Sequence, residues 1–526
     1  MTRARTTWTA LALATLSGVL YFVGFVDFGI WPIAWICLAP LLWALRSAPT
    51  GKRAFLLSWW MGTATFLGGY YWLIHLFQTF ASFSWPIAFL LYVGFCALQG
   101  LQFGVFGTLT WKLSRGTGLS MGWIAPVALV AAEFVIPLFF QSYLANSLAY
   151  VPWLTQVADL GGVLLVSFIM AAMSGALFEV IAARVERRPF PKAIALTAMA
   201  LLAFDVGYSA LRIRQMEARD AAAPQVTTAI IQANVGAGDK HLHTSEGIAR
   251  YREMTDAAME ARPDLGLVVW PESAYNRVVM GRPNLAGHIA RQVRVPMIVG
   301  LVRTERDRPG AWNSVAAVAP GGDIEAFYDK VELLAFGEYI PGEKLLKPLY
   351  DRVLPFSSAF RRGDRFESLP VGPWRLSVDV CYEDILPRHI RALMRASVEA
   401  DAQGRAPNAM VNVTNDSWYG PAEPPIHLAL AVFRAIEHRR WMIRATATGI
   451  SAFIDSSGRL VQHSGFETAE TLIQPVPMIE AGPTIYGRVG DVLGWLCALA
   501  IVAVLIGRSR LGAALSSLTG RRAPKG

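Results

Sequence analysis

A chain of 526 residues with a net charge of +9 would ordinarily suggest an anionic partner, but only 17% of its residues are charged while 54% are hydrophobic. The basic residues border long apolar runs, and no basic stripe interleaved with aromatics occurs in the hydrophilic part, which excludes nucleic acid as the reason for the charge. Three of the four cysteines, Cys37, Cys96 and Cys497, sit inside apolar runs where a thiol is a small buried hydrophobe, so no disulfide framework is expected.

Apolar segments long enough for a hydrocarbon core of ~30 Å lie near 8–25, 28–45, 54–76, 86–110, 121–141, 160–182, 191–211 and 487–507. They predict a multi-pass α-helical membrane domain of about eight spans, seven within 1–215 and one at 485–508, followed by a basic tail over 509–526. The first segment is too long for a cleaved signal peptide and reads as a retained helix. With the N-terminus cytoplasmic, the inside segments collect Arg46, Lys52 and Arg53, then Lys112 and Arg115, then Arg184, Arg187, Arg188 and Lys192, and finally the tail. This positive-inside asymmetry places the segment after the seventh span outside the cytoplasm. Arg212, Arg214 and Arg219, just beyond that span, are expected to snorkel to the interface. Glu133 and Asp205 lie within spans and mark a partner or a polar pathway, whereas His75 and Asp159 near span ends read as interfacial.

Residues 226–480 lack such runs and read as one large α/β domain. Strands are expected at 227–232, 265–270, 296–300, 312–319, 323–331, 374–380, 408–413 and 446–455, helices at 244–261 and 426–440, and turns at 320–323 and 455–458. Three segments follow strands with chemistry. Pro271 is expected to end its strand and leave Glu272 at the mouth, Lys330 follows 323–329, and Cys381 follows Ser377-Val378-Asp379-Val380. A carboxylate, an amine and a thiol at strand ends can supply a base, a positive charge and a nucleophile around one carbonyl. Asp379, Glu383 and Asp384 beside Cys381 would disfavour its ionisation if they faced it, so Lys330 must supply the opposing field.

Trp270-Pro271-Glu272, Lys330 with Phe336-Gly337-Glu338-Tyr339-Ile340-Pro341, and Cys381-Tyr382-Glu383 resemble the Glu-Lys-Cys motifs of the nitrilase superfamily. Their setting after about seven spans resembles its membrane-embedded branch, the bacterial apolipoprotein N-acyltransferases. Gln232-Ala233-Asn234, Asn415-Asp416, His427, Arg434 to Glu437 and Arg444 match as well, as do Gly68 to Leu73 and Ala158 to Gly162. The resemblance implies a nitrilase-like αββα sandwich on the periplasmic side of the bacterial inner membrane. It implies Glu272, Lys330 and Cys381 as catalytic residues, Glu338, Tyr382 and Glu383 as residues that orient them or the substrate, and no metal or cofactor. The implied partners are a phospholipid acyl donor, usually phosphatidylethanolamine, a diacylated apolipoprotein acceptor and the membrane, with the chain acting as a monomer on no nucleic acid. The implied chemistry is a Cys381 thioester formed from the phospholipid and resolved by the acceptor's α-amine. A membrane-tethered carbon–nitrogen hydrolase, with water resolving the thioester, is the alternative, and a transporter or sensor with an idle soluble domain is a third reading. Three departures stand out: Lys240-His241 where the family commonly has tryptophan, Ala335 where proline is usual, and Ile136 where an arginine often follows the buried glutamate. The apolar stretch 345–356 reads equally as a lid dipping into the bilayer or as an ordinary packed helix.

Overall fold

The computed structural model describes residues 3–26, 28–236, 244–339, 342 and 360–519. Lys240-His241 and the stretch 345–356 lie outside the described residues. Among the described residues, three helices are long and apolar enough to cross a membrane: Trp85–Thr117, Val163–Val185 and Lys192–Ala222. Thr7–Val23, Trp31–Arg46, Met121–Val135 and Val492–Gly507 are shorter apolar helices.

Two interruptions within the expected spans serve the soluble domain. Helix Gly51–Gly69 ends at Tyr70, and a separate helix, Leu73–Ala81, starts after Trp72. Helix Met121–Val135 stops because Pro137 pushes Ile136 into the extended region. The chain that follows carries Phe139, Phe140 and Gln141 out of the helix. Ile136 therefore lies outside the helix that carries Glu133. The Glu133 carboxylate accepts instead from the Leu144 N–H at 2.8 Å.

Lys192–Ala222 has 31 residues, about 46 Å at 1.5 Å per residue, and its last turns reach the soluble domain. There Arg212 pairs with Asp159 at 2.8 Å and Arg219 donates to the Arg439 carbonyl at 3.0 Å. Each of these two arginines thus bonds a distant segment of the chain. Asp159, read from sequence as interfacial, is buried: Arg439, only 1% exposed, donates to it at 2.9 Å and to the Gln156 carbonyl at 2.8 Å. Nearby, Glu437 accepts both the Val163 N–H and the Arg434 guanidinium at 2.9 Å.

The soluble domain contains β1 (Gln225–Gln232), β2 (Leu265–Met280), β3 (Met297–Glu305), β4 (Arg308–Val318), β5 (Ile324–Asp329), β6 (Leu369–Val371), β7 (Trp374–Val380), β8 (Ala409–Thr414), β9 (Met442–Thr446), β10 (Ala452–Ile454), β11 (Leu460–His463) and β12 (Glu470–Pro477). They form two six-stranded sheets, ordered β12-β1-β2-β3-β4-β5 and β11-β10-β9-β8-β7-β6. The period of two in strand side chains decides the layering. Ile230, Leu267, Val269, Ile298 and Val315 turn inward and form one core with Val378, Val380, Val411, Val413 and Ile443 of the facing sheet. Their neighbours Ile231, Val268, Trp270 and Val299 turn outward and pack with Ile248, Tyr251 and Met259 of helix Thr244–Ala261. Helix Pro387–Ala400 packs on β7, and helix Pro424–His438 packs between the turn after Cys381 and the Ala158–Gly161 turn of the helical part.

The strand expected over 446–455 is two strands, because the chain turns back at 447–451. Gln232 at the end of β1 fixes that turn, its side-chain oxygen accepting the hydroxyls of Thr446 at 2.9 Å, Ser451 at 2.6 Å and Ser464 at 2.9 Å.

Candidate active site

Glu272 stands where a strand is broken without ending. β2 pairs with β3 through Trp270, and the register then shifts between Trp270 and Tyr275. Pro271 has no N–H to give the ladder, and Ser273 is held at φ +51°. Contrary to the sequence expectation, the strand resumes and runs to Met280, so Glu272 projects from a gap rather than from a strand terminus. Gly300 makes the gap possible: a Cβ there would lie 2.2 Å from the Pro271 carbonyl oxygen.

Lys330 directly follows β5 and is 1% exposed. Its N–H donates to the Asn313 carbonyl at 2.9 Å and its carbonyl accepts from Gly363 N–H at 2.8 Å, so the backbone is fixed on both sides. Cys381 directly follows β7, opens the short 3-10 turn Cys381–Ile385 and takes φ +54°. A left-handed backbone at a non-glycine residue costs about 1 kcal/mol or more. Here it turns the chain out of the strand conformation at the end of β7.

Glu383 ties the cysteine turn to the lysine loop. Its carboxylate accepts Val380 N–H at 2.8 Å, Val331 N–H at 2.6 Å, Glu332 N–H at 2.8 Å and the Tyr328 hydroxyl at 2.9 Å. Burial pushes the Glu383 carboxyl up to about 7 against those donors. Glu338 does the same for Lys330: its two oxygens lie 3.0 and 2.9 Å from Nζ, and Oε2 also accepts Leu334 N–H at 2.9 Å. Glu272 Oε1 lies 3.8 Å from Nζ, an ion pair without a hydrogen bond.

Asn313, which the sequence reading passed over, joins the two acids. Its side-chain N–H₂ donates to Glu272 Oε1 at 2.6 Å and to Glu338 Oε1 at 3.0 Å. A signal was present: Asn313-Ser314 is a polar pair inside the otherwise apolar run of β4, and both residues are buried.

The electrostatics set the resting state. Burial alone would pull the Lys330 ammonium down, but Glu338, Cys381 and Glu272 outweigh it and raise Lys330, so the charge is kept. Burial pushes the Cys381 thiol well up, Glu272 adds to this, and Lys330 opposes it. Cys381 is therefore a thiol at rest.

Its surroundings come from both parts of the chain. Cys381 lines a crevice of about 20 Å³ with Tyr382, Ile385, Tyr419 and Glu423 on one side and Phe25, Tyr70, Trp72, Phe140 and Gln141 of the helical part on the other. That volume holds about one water molecule. The Tyr382 hydroxyl donates to the Phe139 carbonyl at 2.7 Å, and the rings of Trp72 and Tyr419 meet edge-on at 5.5 Å. His75, expected at an interface, packs on Gly420, where a Cβ would lie 2.9 Å from its ring. The interrupted helices thus deliver the aromatic wall.

The sequence singled out Asp416, His427 and Arg444 without giving them a place. His427 Nε2 lies 2.9 Å from Asp384 and Nδ1 3.0 Å from Asp416, and Arg444 bonds the same two carboxylates at 2.5 and 3.3 Å. Arg444 also donates to Asn412, whose amide reaches the Cys381 carbonyl at 3.3 Å. Asp384 therefore points into this network and is neutralised there rather than facing the thiol.

Residues 17–176 match the family model for the apolipoprotein N-acyltransferase N-terminal domain, and residues 227–486 match the carbon-nitrogen hydrolase model. The chain is 32% identical to an apolipoprotein N-acyltransferase of Geobacter metallireducens, over 95% of each chain. It is 28% identical to one of Pseudomonas aeruginosa, over 96% of this chain and 97% of that one. A relative of the same name from Bdellovibrio bacteriovorus is 26% identical, over 95% of this chain and 94% of its own.

Proposed function

This chain belongs to the apolipoprotein N-acyltransferase family, and from that premise we propose that it moves a fatty acyl chain from a membrane phospholipid, phosphatidylethanolamine foremost, to the N-terminal α-amino group of a diacylglyceryl-cysteine apolipoprotein. The observation that carries the reading is the position of Cys381, which has Glu272 and Lys330 close enough to shift its ionisation and opens on a crevice whose far wall is the helical part. A thiol so placed meets lipid without drawing each acyl chain through water, which would cost about 0.8 kcal/mol per methylene.

In the first half-reaction Glu272 takes the Cys381 proton as the sulfur attacks the ester carbonyl, which suits a nucleophile that rests as a thiol. Lys330 and nearby N–H groups face the oxyanion, and Glu338 holds Lys330 in place. The ester C–O bond breaks, Glu272 returns the proton to the departing lysophospholipid, and a thioester remains on Cys381. In the second half-reaction the α-amine attacks the thioester, the C–S bond breaks, and the amine's proton passes through Glu272 to the leaving sulfur, which restores the thiol and leaves an amide as product. Tyr382 and Glu383 keep the thiol's turn aligned. The aromatic crevice limits water, the competing nucleophile.

We assign the helical part to eight spans in the bacterial inner membrane, with 226–480 on the periplasmic side and the chain acting as a monomer. The test is to incubate the purified protein with phospholipid and a diacylglyceryl peptide. Triacylated peptide is expected, whereas free fatty acid alone would favour a tethered hydrolase.

A further inference from the structure

Beside the thiol lies a charge cluster that acyl transfer as written above does not use. His427 and Arg444 face Asp384 and Asp416, and these four charges cancel when His427 is protonated. Burial and Arg444 push the His427 imidazolium down, but the two aspartates outweigh them and raise it to about 10. Glu423 is a fifth ionisable member, and the cluster offers it no charge of its own. It is 6% exposed and lines the Cys381 crevice. Its Oε1 lies 3.7 Å from His427 Nδ1, too far for a hydrogen bond, and its Oε2 has no hydrogen-bond partner among the described residues. Although Glu423 is the N-cap residue of helix Pro424–His438, its side chain does not cap that helix. Asp379, another buried acid nearby, bonds Asn412 through one oxygen at 2.6 Å, and although its other oxygen also has no hydrogen-bond partner among the described residues, it does not line the crevice.

A buried carboxyl with a partnerless oxygen on a crevice is suited to receive a donor, and it becomes a counter-ion when a cation enters. One donor atom each from Asp416, Glu423 and His427 falls within 4.8 Å, which is metal-site spacing. Both imidazole nitrogens already meet carboxylates, however, and Arg444 bonds Asp416, so a metal ion would have to displace existing partners. An organic ammonium need not. The crevice wall next to Glu423 is Tyr70, Trp72 and Tyr419, and aromatic faces attract ammonium groups.

We propose that Glu423 is a positioning residue that accepts a hydrogen bond from the primary amine of a lipid substrate in the Cys381 crevice. The inference rests on the acyl-transfer reading. Burial holds the Glu423 carboxyl at about 8, so in the empty crevice it is largely uncharged. An entering ammonium supplies the missing counter-charge. Two substrates carry such a group, the ethanolamine headgroup of the donor and the α-amino terminus of the acceptor.

The test compares full-length wild type, Glu423→Gln and Glu423→Asp in detergent. One arm measures acylation of Cys381 from phosphatidylethanolamine against phosphatidylglycerol, which has no amine. The other measures kcat and KM for a diacylglyceryl peptide on preformed acyl-enzyme. Glu423→Gln is expected to raise KM tenfold or more for one amine-bearing substrate relative to phosphatidylglycerol, with kcat within threefold and with Glu423→Asp recovering most of the loss. Loss in the first arm assigns the headgroup, and loss in the second assigns the acceptor. Unchanged KM values in both arms, or an equal loss with all three lipids, would overturn the proposal. If Glu423→Gln does not fold, the phosphatidylethanolamine to phosphatidylglycerol ratio and peptide KM of Glu423→Asp decide in the same way. Absence of any acyl-enzyme in the wild type would overturn the acyl-transfer reading itself.

Discussion

The hydroxyl of Tyr382, the residue after the candidate nucleophile, donates a 2.7 Å hydrogen bond to the carbonyl of Phe139, 243 positions earlier in the chain. The thiol's turn is therefore registered against the helical part as well as against its own domain. Tyr382→Phe removes that bond and little else. A net hydrogen bond is worth about 1 kcal/mol, so kcat/KM for peptide acylation should fall about fivefold, with the thermal midpoint nearly unchanged. A transfer assay on the purified variant checks this.

Asn313 separates two carboxylates that would otherwise face each other. Asn313→Asp brings a third negative charge to Glu272 and Glu338. Like charges at this range should draw protons onto the acids and weaken the base, and activity is expected to fall about a hundredfold, the equivalent of roughly 2.7 kcal/mol. Asn313→Ala, which only deletes the donor, should lose about tenfold. Equal losses for the two variants would show that charge is not the issue.

Arg439 is a buried cation at φ +53°, and Asp159 supplies its carboxylate partner. Asp159→Ala strands that charge and should destabilise the protein by about 3–5 kcal/mol. Asp159→Asn, which keeps acceptor geometry, should lose less. Thermal unfolding in detergent distinguishes them.

His427 makes stability depend on pH in a definite direction. Its folded value of about 10 exceeds the ordinary 6.5. The stabilisation is therefore complete below about 6.5 and is lost as pH rises through about 10. The groups facing the imidazole are Asp384, Asp416, Glu423 and Arg444. The stability gap between wild type and His427→Gln should be largest near pH 6 and shrink by pH 10, which melting curves across that range will show.

The sandwich was legible because the continuous apolar run Leu265 to Trp270 reports a strand buried on both faces and the alternation from Trp374 to Val380 reports a strand with one apolar face. β6, β11, β12 and helix Pro387–Ala400 were not anticipated. β6 is only three residues long, and β11 is half exposed, so neither leaves a long apolar pattern. Glu272, Lys330 and Cys381 could be named because each follows a strand-like run; Glu272 and Lys330 meet around Glu338 and Asn313, and both act on the ionisation of Cys381. What the sequence could not carry is contact between distant segments. The aromatic wall of the crevice comes from breaks at Tyr70 to Trp72 and at Pro137, which hydropathy smooths over as continuous spans. Glu423 carries no motif in the sequence, and only the closure of helix Pro424–His438 on the cysteine turn gives it a position.

The central claim is that Cys381 carries the acyl chain between two lipids. Incubating the protein with phospholipid and no acceptor, then digesting it for mass spectrometry, tests that most directly. An acyl adduct on the peptide containing Cys381 is expected, removed when a diacylglyceryl peptide is added. An unmodified Cys381 peptide, or triacylated product from Cys381→Ala, would contradict it.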